Sequence, residues 1–311
     1  MIKQSVSIVI PVYNEEESIP SLYSEVKNAL ENFPSHEIIF INDGSYDNSL
    51  EEITKLVEKD SSVLAIDLYN NFGKADALNE GFKVASGDII ITMDADLQDD
   101  PAEVSNLVNK INEGWDLVSG WKVDRQDPIT KRWPSKIFNT VMRYFTNVNI
   151  HDFNCGLKAY RRKVIKAIDL YGGMHRYTPA LASQKGFSVT EISVNHRSRK
   201  FGVTKYGGSR IFHGFYDLLT VMFLGKYLTR PLHFFGSIGL VLLSAGLAIN
   251  VYLTVGWFNG VWIGNRPIFF LGILLLIVGL QFFSMGLIGE LITKTAHRNE
   301  NIVLRKYKKE Q

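Results

Sequence analysis

Two stretches near the carboxyl end limit this 311-residue chain more than any other feature. Residues 234–256 and 267–289 each run without a single charged side chain. As helices rising about 1.5 Å per residue, each reaches roughly 34 Å, against roughly 30 Å of bilayer hydrocarbon. Two buried core helices are the alternative, but stretches this long and this uniformly apolar argue against it. Only residues 257–266 separate the two, so a transmembrane hairpin is expected, with Trp257 and Trp262 placed for an interfacial aromatic belt. Lys226 and Arg230 precede the hairpin, and Lys294, Arg298, Arg305, Lys306, Lys308 and Lys309 follow it. The positive-inside rule then puts both flanks, and the chain before them, on the cytosolic side. Residues 210–231 are apolar but carry Asp217 and Lys226, which fits helices lying in the membrane interface. A surface helix packed on the front of the chain is the other reading.

The charge balance divides at the same place. Residues 1–196 hold 20 Lys/Arg and 28 Asp/Glu, whereas residues 197–311 hold 14 and 4. The net charge of +2 is therefore a cancellation between an acidic front and a basic, apolar rear. The rear is expected to meet a membrane surface or a phosphorylated ligand, and nucleic acid is not expected among the partners. The single cysteine, Cys155, rules out an intrachain disulfide. The short apolar run at residues 6–10 is too small for a signal-peptide core, so no secretory leader is expected.

The first 120 residues alternate between two kinds of segment. Residues 6–10, 37–41, 63–66 and 88–92 are short, β-branched and apolar. Between them, Ile19/Leu22/Tyr23/Val26/Leu30, Leu50/Ile53/Leu56/Val57 and Ala75/Leu78/Phe82/Ala85 recur at helical spacing. Further strands are expected at residues 116–119, 157–160 and 187–194, with two more helices within 101–146. Apolar strands separated by helices predict an α/β fold with a mostly parallel, Rossmann-like sheet. Such sheets place ligands at the carboxyl ends of their strands.

Acidic residues collect at those ends. Thr92-Met93-Asp94-Ala95-Asp96-Leu97-Gln98-Asp99-Asp100-Pro101 follows an apolar strand, and Asp100-Pro101 suits the start of a helix. Asp94 and Asp96, two apart, can bring oxygens to one Mg²⁺ or Mn²⁺, whose shell substrate phosphates commonly complete. A solvated, capped turn is the bland alternative. Asn42-Asp43-Gly44-Ser45 ends another strand, where Asp43 can accept hydrogen bonds from a nucleoside or simply form an Asp-Gly turn. Pro11-Val12-Tyr13-Asn14-Glu15 ends a third. His175 and His196 lack a partner at ligand spacing and are expected to be satisfied polar residues rather than metal ligands.

Together with Asn71-Phe72-Gly73-Lys74, these motifs resemble glycosyltransferase family 2. Within it they are most similar to the polyprenyl-phosphate glycosyltransferases, the group of dolichol-phosphate mannose synthase and the bactoprenol glucosyltransferases. Arg199-Lys200-Phe201-Gly202-Val203-Thr204-Lys205-Tyr206 resembles that group's Arg-x-x-Gly-x-Ser-Lys-Tyr, with Thr204 in place of Ser. The resemblance implies a GT-A catalytic domain over residues 1–208, interfacial helices over 209–232, the two membrane helices within 233–292 and a basic cytosolic tail over 293–311. It implies that Asp94, Asp96 and Gln98 hold the cation and the donor diphosphate, with Pro11, Tyr13, Glu15 and Asp43 around the nucleoside. Arg199, Thr204 and Lys205 would grip phosphate, and Arg132 and Ser135 would hold the acceptor phosphate. A helix start with a nearby Arg is an anion site on physical grounds as well. Lys74 replaces the family's frequent Gln or His and falls among donor-sugar contacts. The stretch before His175-Arg176 lacks the usual acidic residue.

The implied reaction is inverting transfer of a hexose, from a donor of the UDP-glucose or GDP-mannose type, to undecaprenyl or dolichyl phosphate. The implied setting is the cytosolic face of a membrane, with the bacterial inner membrane expected. A phosphomonoester is largely a dianion at neutral pH, so the nucleophile needs no general base. Asp152 is an orienting or base candidate, with a structural role as its alternative. Two rivals remain. A processive polysaccharide synthase would carry Gln-x-x-Arg-Trp, but here Arg132-Trp133 follows Ile129-Thr130-Lys131. A non-catalytic nucleotide-binding scaffold would tolerate loss of its acidic residues. Self-association through the membrane helices is also expected.

Overall fold

The computed structural model describes residues 4–123, 139–144, 146–168, 170, 174–197, 231–264 and 266–296, the last with side chains through Ile292. The chain divides into two compact units, Met1–Val221 and Met222–Gln311.

In the first unit, each expected strand forms. They are β1 (Val6–Val12), β2 (His36–Asn42), β3 (Val63–Asp67), β4 (Ile89–Thr92), β5 (Leu117–Lys122), β6 (Lys158–Arg161) and β7 (Val189–Val194). They make one sheet in the order β3-β2-β1-β4-β6-β5-β7. All neighbours are parallel except β6, which is antiparallel to both β4 and β5. The helices α1 (Ile19–Leu30), α2 (Ser49–Lys59), α3 (Lys74–Val84) and α4 (Val104–Asn112) connect and cover the first strands. A shorter helix, α5 (Thr178–Gln184), precedes β7.

The apolar periodicity explains the packing. Ile19, Leu22, Val26 and Leu30 of α1 are all buried. They join Ile8, Ile10, Ile38, Phe40 and Ile91 in one core. The period is right for α2 as well, but only Ser49 and Ile53 are buried there and Val57 is 36% exposed. The reason is position: α2 lies over β3, an edge strand whose Leu64 is itself 40% exposed.

One break in the sheet matters for function. Strand β1 pairs with β2 as far as Val12↔Asn42, but with β4 only as far as Val9↔Thr92. Pro11 lies just past that end and has no N–H to continue a ladder. Strand order also reverses between β1 and β4. Open α/β sheets bind ligands at such a reversal, outside the carboxyl ends of the strands.

The second unit is a helical hairpin, α6 (Pro231–Phe258) and α7 (Pro267–Ala296). Both are longer than the uncharged stretches predict: α6 starts three residues earlier and takes in Trp257 and Phe258, and α7 starts at Pro267 as expected but runs on past Glu290 and Lys294. Among the described residues these are the two helices long and apolar enough to cross a membrane. They approach closely. A Cβ on Gly239 would lie 2.7 Å from the Gly279 carbonyl, and one on Gly246 would lie 2.8 Å from that of Gly272. Small residues let membrane helices meet at their backbones. Glu290 accepts a hydrogen bond from the Leu232 N–H at 3.4 Å, so a carboxylate faces the positive end of α6.

Candidate active site

The site is built where the β1–β4 ladder ends. After β4, burial alternates residue by residue. Met93, Ala95, Leu97 and Asp99 are buried, while Asp94, Asp96 and Gln98 are partly exposed. The three residues expected at the cation and diphosphate therefore share the open side of the turn. Leu97 carries a positive φ of 60°, as does Asn14 at 50° in the turn after β1. Such backbone costs about 1 kcal/mol or more in a non-glycine residue and clusters at functional sites.

Asp94 does not stand alone. Its carboxylate makes an ion pair with Lys74 at the start of α3. Its backbone N–H donates to Asp99 Oδ2 at 3.2 Å. Behind it, Gly156 packs so closely that a Cβ there would lie 2.5 Å from Asp94 Oδ2. Burial opposes ionisation of Asp94, but the charges of Lys74 and Lys122 outweigh it and hold its pKa at about 2. Asp96 Oδ1 accepts from the Gln98 N–H at 3.1 Å, which shapes the turn and leaves the group partly exposed.

A second layer went unseen in the sequence. Asp99 is 1% exposed and pairs with Lys122 of β5 at 3.0 Å. Lys158 of β6 is 3% exposed and donates to the Cys155 carbonyl, and burial lowers its pKa to about 8. His175 follows the same logic. Burial, then the charges of Lys74, Arg176 and Lys158, push its pKa to about 2, so its imidazole is neutral. The expectation that His175 is a satisfied polar residue fails for Nδ1, which is buried without a hydrogen-bond partner among the described residues. The available signal for Lys122 and Lys158 was only a lysine at the end of a short strand beside apolar residues. For Asp99 the signal was the apolar–polar alternation of Met93-Asp94-Ala95-Asp96-Leu97-Gln98, which puts Asp99 on the inward phase.

On the β1–β2 side, the chain ties two loops together. Asn14 donates its N–H to Ser45 Oγ at 3.0 Å and accepts from the Tyr46 N–H at 2.8 Å. Glu15 donates its N–H to Ser49 Oγ at 2.9 Å. The rings of Tyr13 and Tyr46 meet edge to face at 6.0 Å. Pro11, Tyr13 and Glu15 are partly exposed and line the open end of β1. Asp43 is different: it is 4% exposed, and its two oxygens accept from the Phe72 and Gly73 N–H groups at 2.8 and 3.0 Å. Its first task is to hold the loop that delivers Lys74. Burial raises its pKa, which those two hydrogen bonds only partly offset. Gly44 makes that contact possible, since its φ is +65° and a Cβ would lie 2.5 Å from the Asn70 carbonyl carbon.

Asp152 is 1% exposed, and its Oδ1 accepts from the Asn154 N–H at 3.0 Å. It helps to shape the loop that brings Gly156 against Asp94. Neighbouring His151 is clamped by Glu191 through both its N–H and its ring, and Trp121 stacks on that ring at 4.3 Å. Arg132, Ser135, Arg199, Thr204 and Lys205 lie outside the described residues.

Two partly exposed carboxylates and an amide on one open edge fit a hard divalent cation whose other ligands are substrate phosphates. By themselves they are too few: no group of three or more His, Cys, Asp or Glu that can hold a metal occurs among the described residues.

Residues 7–169 match the family model for Glycosyl transferase family 2. The chain belongs to this family. A dodecaprenyl-phosphate galacturonate synthase of Rhizobium johnstonii is 38% identical over 94% of this chain and 89% of its own length. An undecaprenyl-phosphate 4-deoxy-4-formamido-L-arabinose transferase of Pseudomonas aeruginosa is 37% identical over 92% of this chain and 84% of its own. Among solved structures, glucosyl-3-phosphoglycerate synthase of Mycobacterium tuberculosis superposes with a TM-score of 0.56 at 18% identity, over 73% of this chain and 83% of that one. That likeness shows the GT-A fold. The same fold has been solved for that enzyme with Mn²⁺ and UDP-glucose.

Proposed function

We propose that this glycosyltransferase moves a hexose from a nucleotide-sugar to polyprenyl phosphate at the cytosolic face of a membrane, with inversion at the anomeric carbon. One observation carries the reading. The relatives named for polyprenyl-phosphate sugar transfer align over 92–94% of the chain, hairpin included, and not over the catalytic head alone. The UDP-glucose or GDP-mannose type of donor rests on family resemblance. The relatives' own sugars, galacturonate and 4-deoxy-4-formamido-L-arabinose, widen the set to test.

In this reading Asp94, Asp96 and Gln98 hold Mg²⁺ or Mn²⁺ with the donor diphosphate, and that cation supplies neutralisation of the leaving charge. The chain does the rest. Pro11, Tyr13, Glu15 and the loop fixed by Asp43 wall the nucleoside. Lys74, which faces the same carboxylate as the cation would, contacts the donor's phosphates or sugar. Arg132, Ser135, Arg199, Thr204 and Lys205 hold the acceptor phosphate. Because that phosphate arrives as a dianion, the site gains most from placing two anions in contact, not from removing a proton. Asp152 then orients its loop.

The deciding experiment is a donor screen with detergent-purified protein, polyprenyl phosphate and Mn²⁺ or Mg²⁺. A lipid-linked monosaccharide from one donor, lost on chelation, is the expected result. Donor hydrolysis with no lipid product under any donor would end the proposal. Arg199→Ala and Lys205→Ala should raise the apparent KM for the lipid phosphate more than that for the donor. Equal loss toward both substrates would contradict the division of roles.

A further inference from the structure

Four polar side chains along α6 bond within the helix. The hydroxyls of Ser237, Ser244 and Thr254 donate to the carbonyls of Phe234, Leu240 and Asn250, and the Asn250 amide donates to the Gly246 carbonyl. Helix α7 breaks the pattern. Gln281 and Ser284 are exposed and have no hydrogen-bond partner among the described residues. Gln281 stands 14 residues after Pro267 and 11 before Ile292, the limits of the apolar span. At about 1.5 Å per residue, that places the carboxamide near mid-bilayer, where no water is available to it.

The surrounding pattern says what covers it. Leu274, Ile277, Gln281, Ser284, Ile288 and Leu291 follow one another at alternating spacings of three and four residues. The apolar members are 52–66% exposed. Sustained three-four spacing is the seam of a left-handed helix pair, and one polar residue within such a seam fixes register and oligomer state. The opposite side of α7 is already used, because Gly272, Gly279 and Gly286 face α6.

We propose that α7 packs along this seam against α7 of a second copy of this chain, with Gln281 paired to Gln281. The proposal rests on reading the hairpin as membrane-spanning. Two copies inserted the same way run their α7 helices parallel, so a two-fold axis along the bilayer normal brings each residue level with its counterpart. A carboxamide is donor and acceptor at once, and is therefore its own complement. Apolar lipid and the acceptor's hydrocarbon tail offer it nothing.

Cysteine cross-linking of the full chain in native membranes tests this. The native Cys155 is 1% exposed and gives no background. With a copper-phenanthroline oxidant, Ile277→Cys and Ser284→Cys should each give a covalent dimer. Leu287→Cys, 44% exposed but about 120° round the helix from Gln281, should not. In nanodiscs, Gln281→Leu should weaken dimerisation roughly tenfold, and Gln281→Asn should retain most of it. Equal cross-linking at position 287, absence of cross-linking at 277 and 284, or an unchanged dimer in Gln281→Leu would each overturn the seam. Alkaline carbonate extraction separates the two ideas. Release of the wild type from membranes would sink the hairpin reading itself, whereas retention without cross-links sinks the seam alone.

Discussion

The ammonium of Lys74 lies against Oδ1 of Asp94, so a carboxylate proposed to hold the cation is already neutralised by the chain itself. Their side chains are 30% and 32% exposed, which keeps the pair within reach of solvent and ligand. A cation arriving at Asp94 must share that carboxylate with Lys74 or displace it. Lys74→Met is therefore expected to bind Mn²⁺ about tenfold more tightly, while losing roughly 1 kcal/mol of stability without metal. Mn²⁺ electron paramagnetic resonance titration and thermal unfolding with and without metal check both halves. Unchanged Mn²⁺ affinity would mean that Lys74 does not compete for the site.

Asp96 and Asp99 are three residues apart and should fail in opposite ways. Asp96 is partly exposed and accepts a turn-shaping hydrogen bond from the Gln98 N–H, so Asp96→Ala should stay folded and membrane-bound. Its transfer activity should fall about a hundredfold or more, the usual scale for losing a charge-stabilising group. Asp99→Ala instead strands Lys122, whose side chain is 13% exposed, and should cost about 3–5 kcal/mol of stability. Thermal unfolding beside a transfer assay distinguishes the two. Full activity in Asp96→Ala would remove the metal role from the turn.

The seven strands and the helical hairpin were legible because each is a local pattern: short apolar runs for a sheet covered on both faces, long uncharged runs for the membrane. The acidic turn was legible for the same reason, since Asp94 and Asp96 are neighbours in sequence. What stayed hidden was pairing across the sheet. Lys122 and Lys158 come from β5 and β6, and only the antiparallel insertion of β6 beside β4 brings them to Asp94 and Asp99. Asp43 was legible only in part. Its place at a strand end pointed to a ligand contact, but spacing alone could not show that Phe72 and Gly73, about thirty residues on, take up its oxygens.

Gly156 offers a test of the support behind Asp94. A methyl there would meet Asp94 Oδ2 at 2.5 Å and Cγ at 2.7 Å. The atoms in the way end a movable side chain, so Gly156→Ala should fold with a loss of about 1–2 kcal/mol. The displaced carboxylate should weaken Mn²⁺ binding about tenfold and lower transfer more, because small misplacements in a preorganised site are costly. Calorimetric Mn²⁺ titration is the direct measurement. Wild-type affinity in Gly156→Ala would mean that this backing does not set the position of Asp94.

Away from the site, Asp60 predicts how the head responds to acid. It accepts hydrogen bonds from Lys27 at 2.6 Å and Tyr23 at 2.7 Å, and its other oxygen accepts from Ser62. Burial opposes its ionisation, but the bonds from Lys27, Ser62 and Tyr23 prevail and hold its pKa well below the usual carboxylate range. A carboxyl depressed in the folded state stabilises the fold fully above its unfolded pKa of roughly 4, and loses that contribution as pH falls toward the folded value. The contribution should be about 1–2 kcal/mol, since Lys27 is 38% exposed and partly screened. Urea unfolding of the purified protein should show stability falling below about pH 4, and Asp60→Asn should flatten that fall while lowering stability at neutral pH. Identical acid profiles for the two proteins would remove Asp60 as a source of the pH dependence.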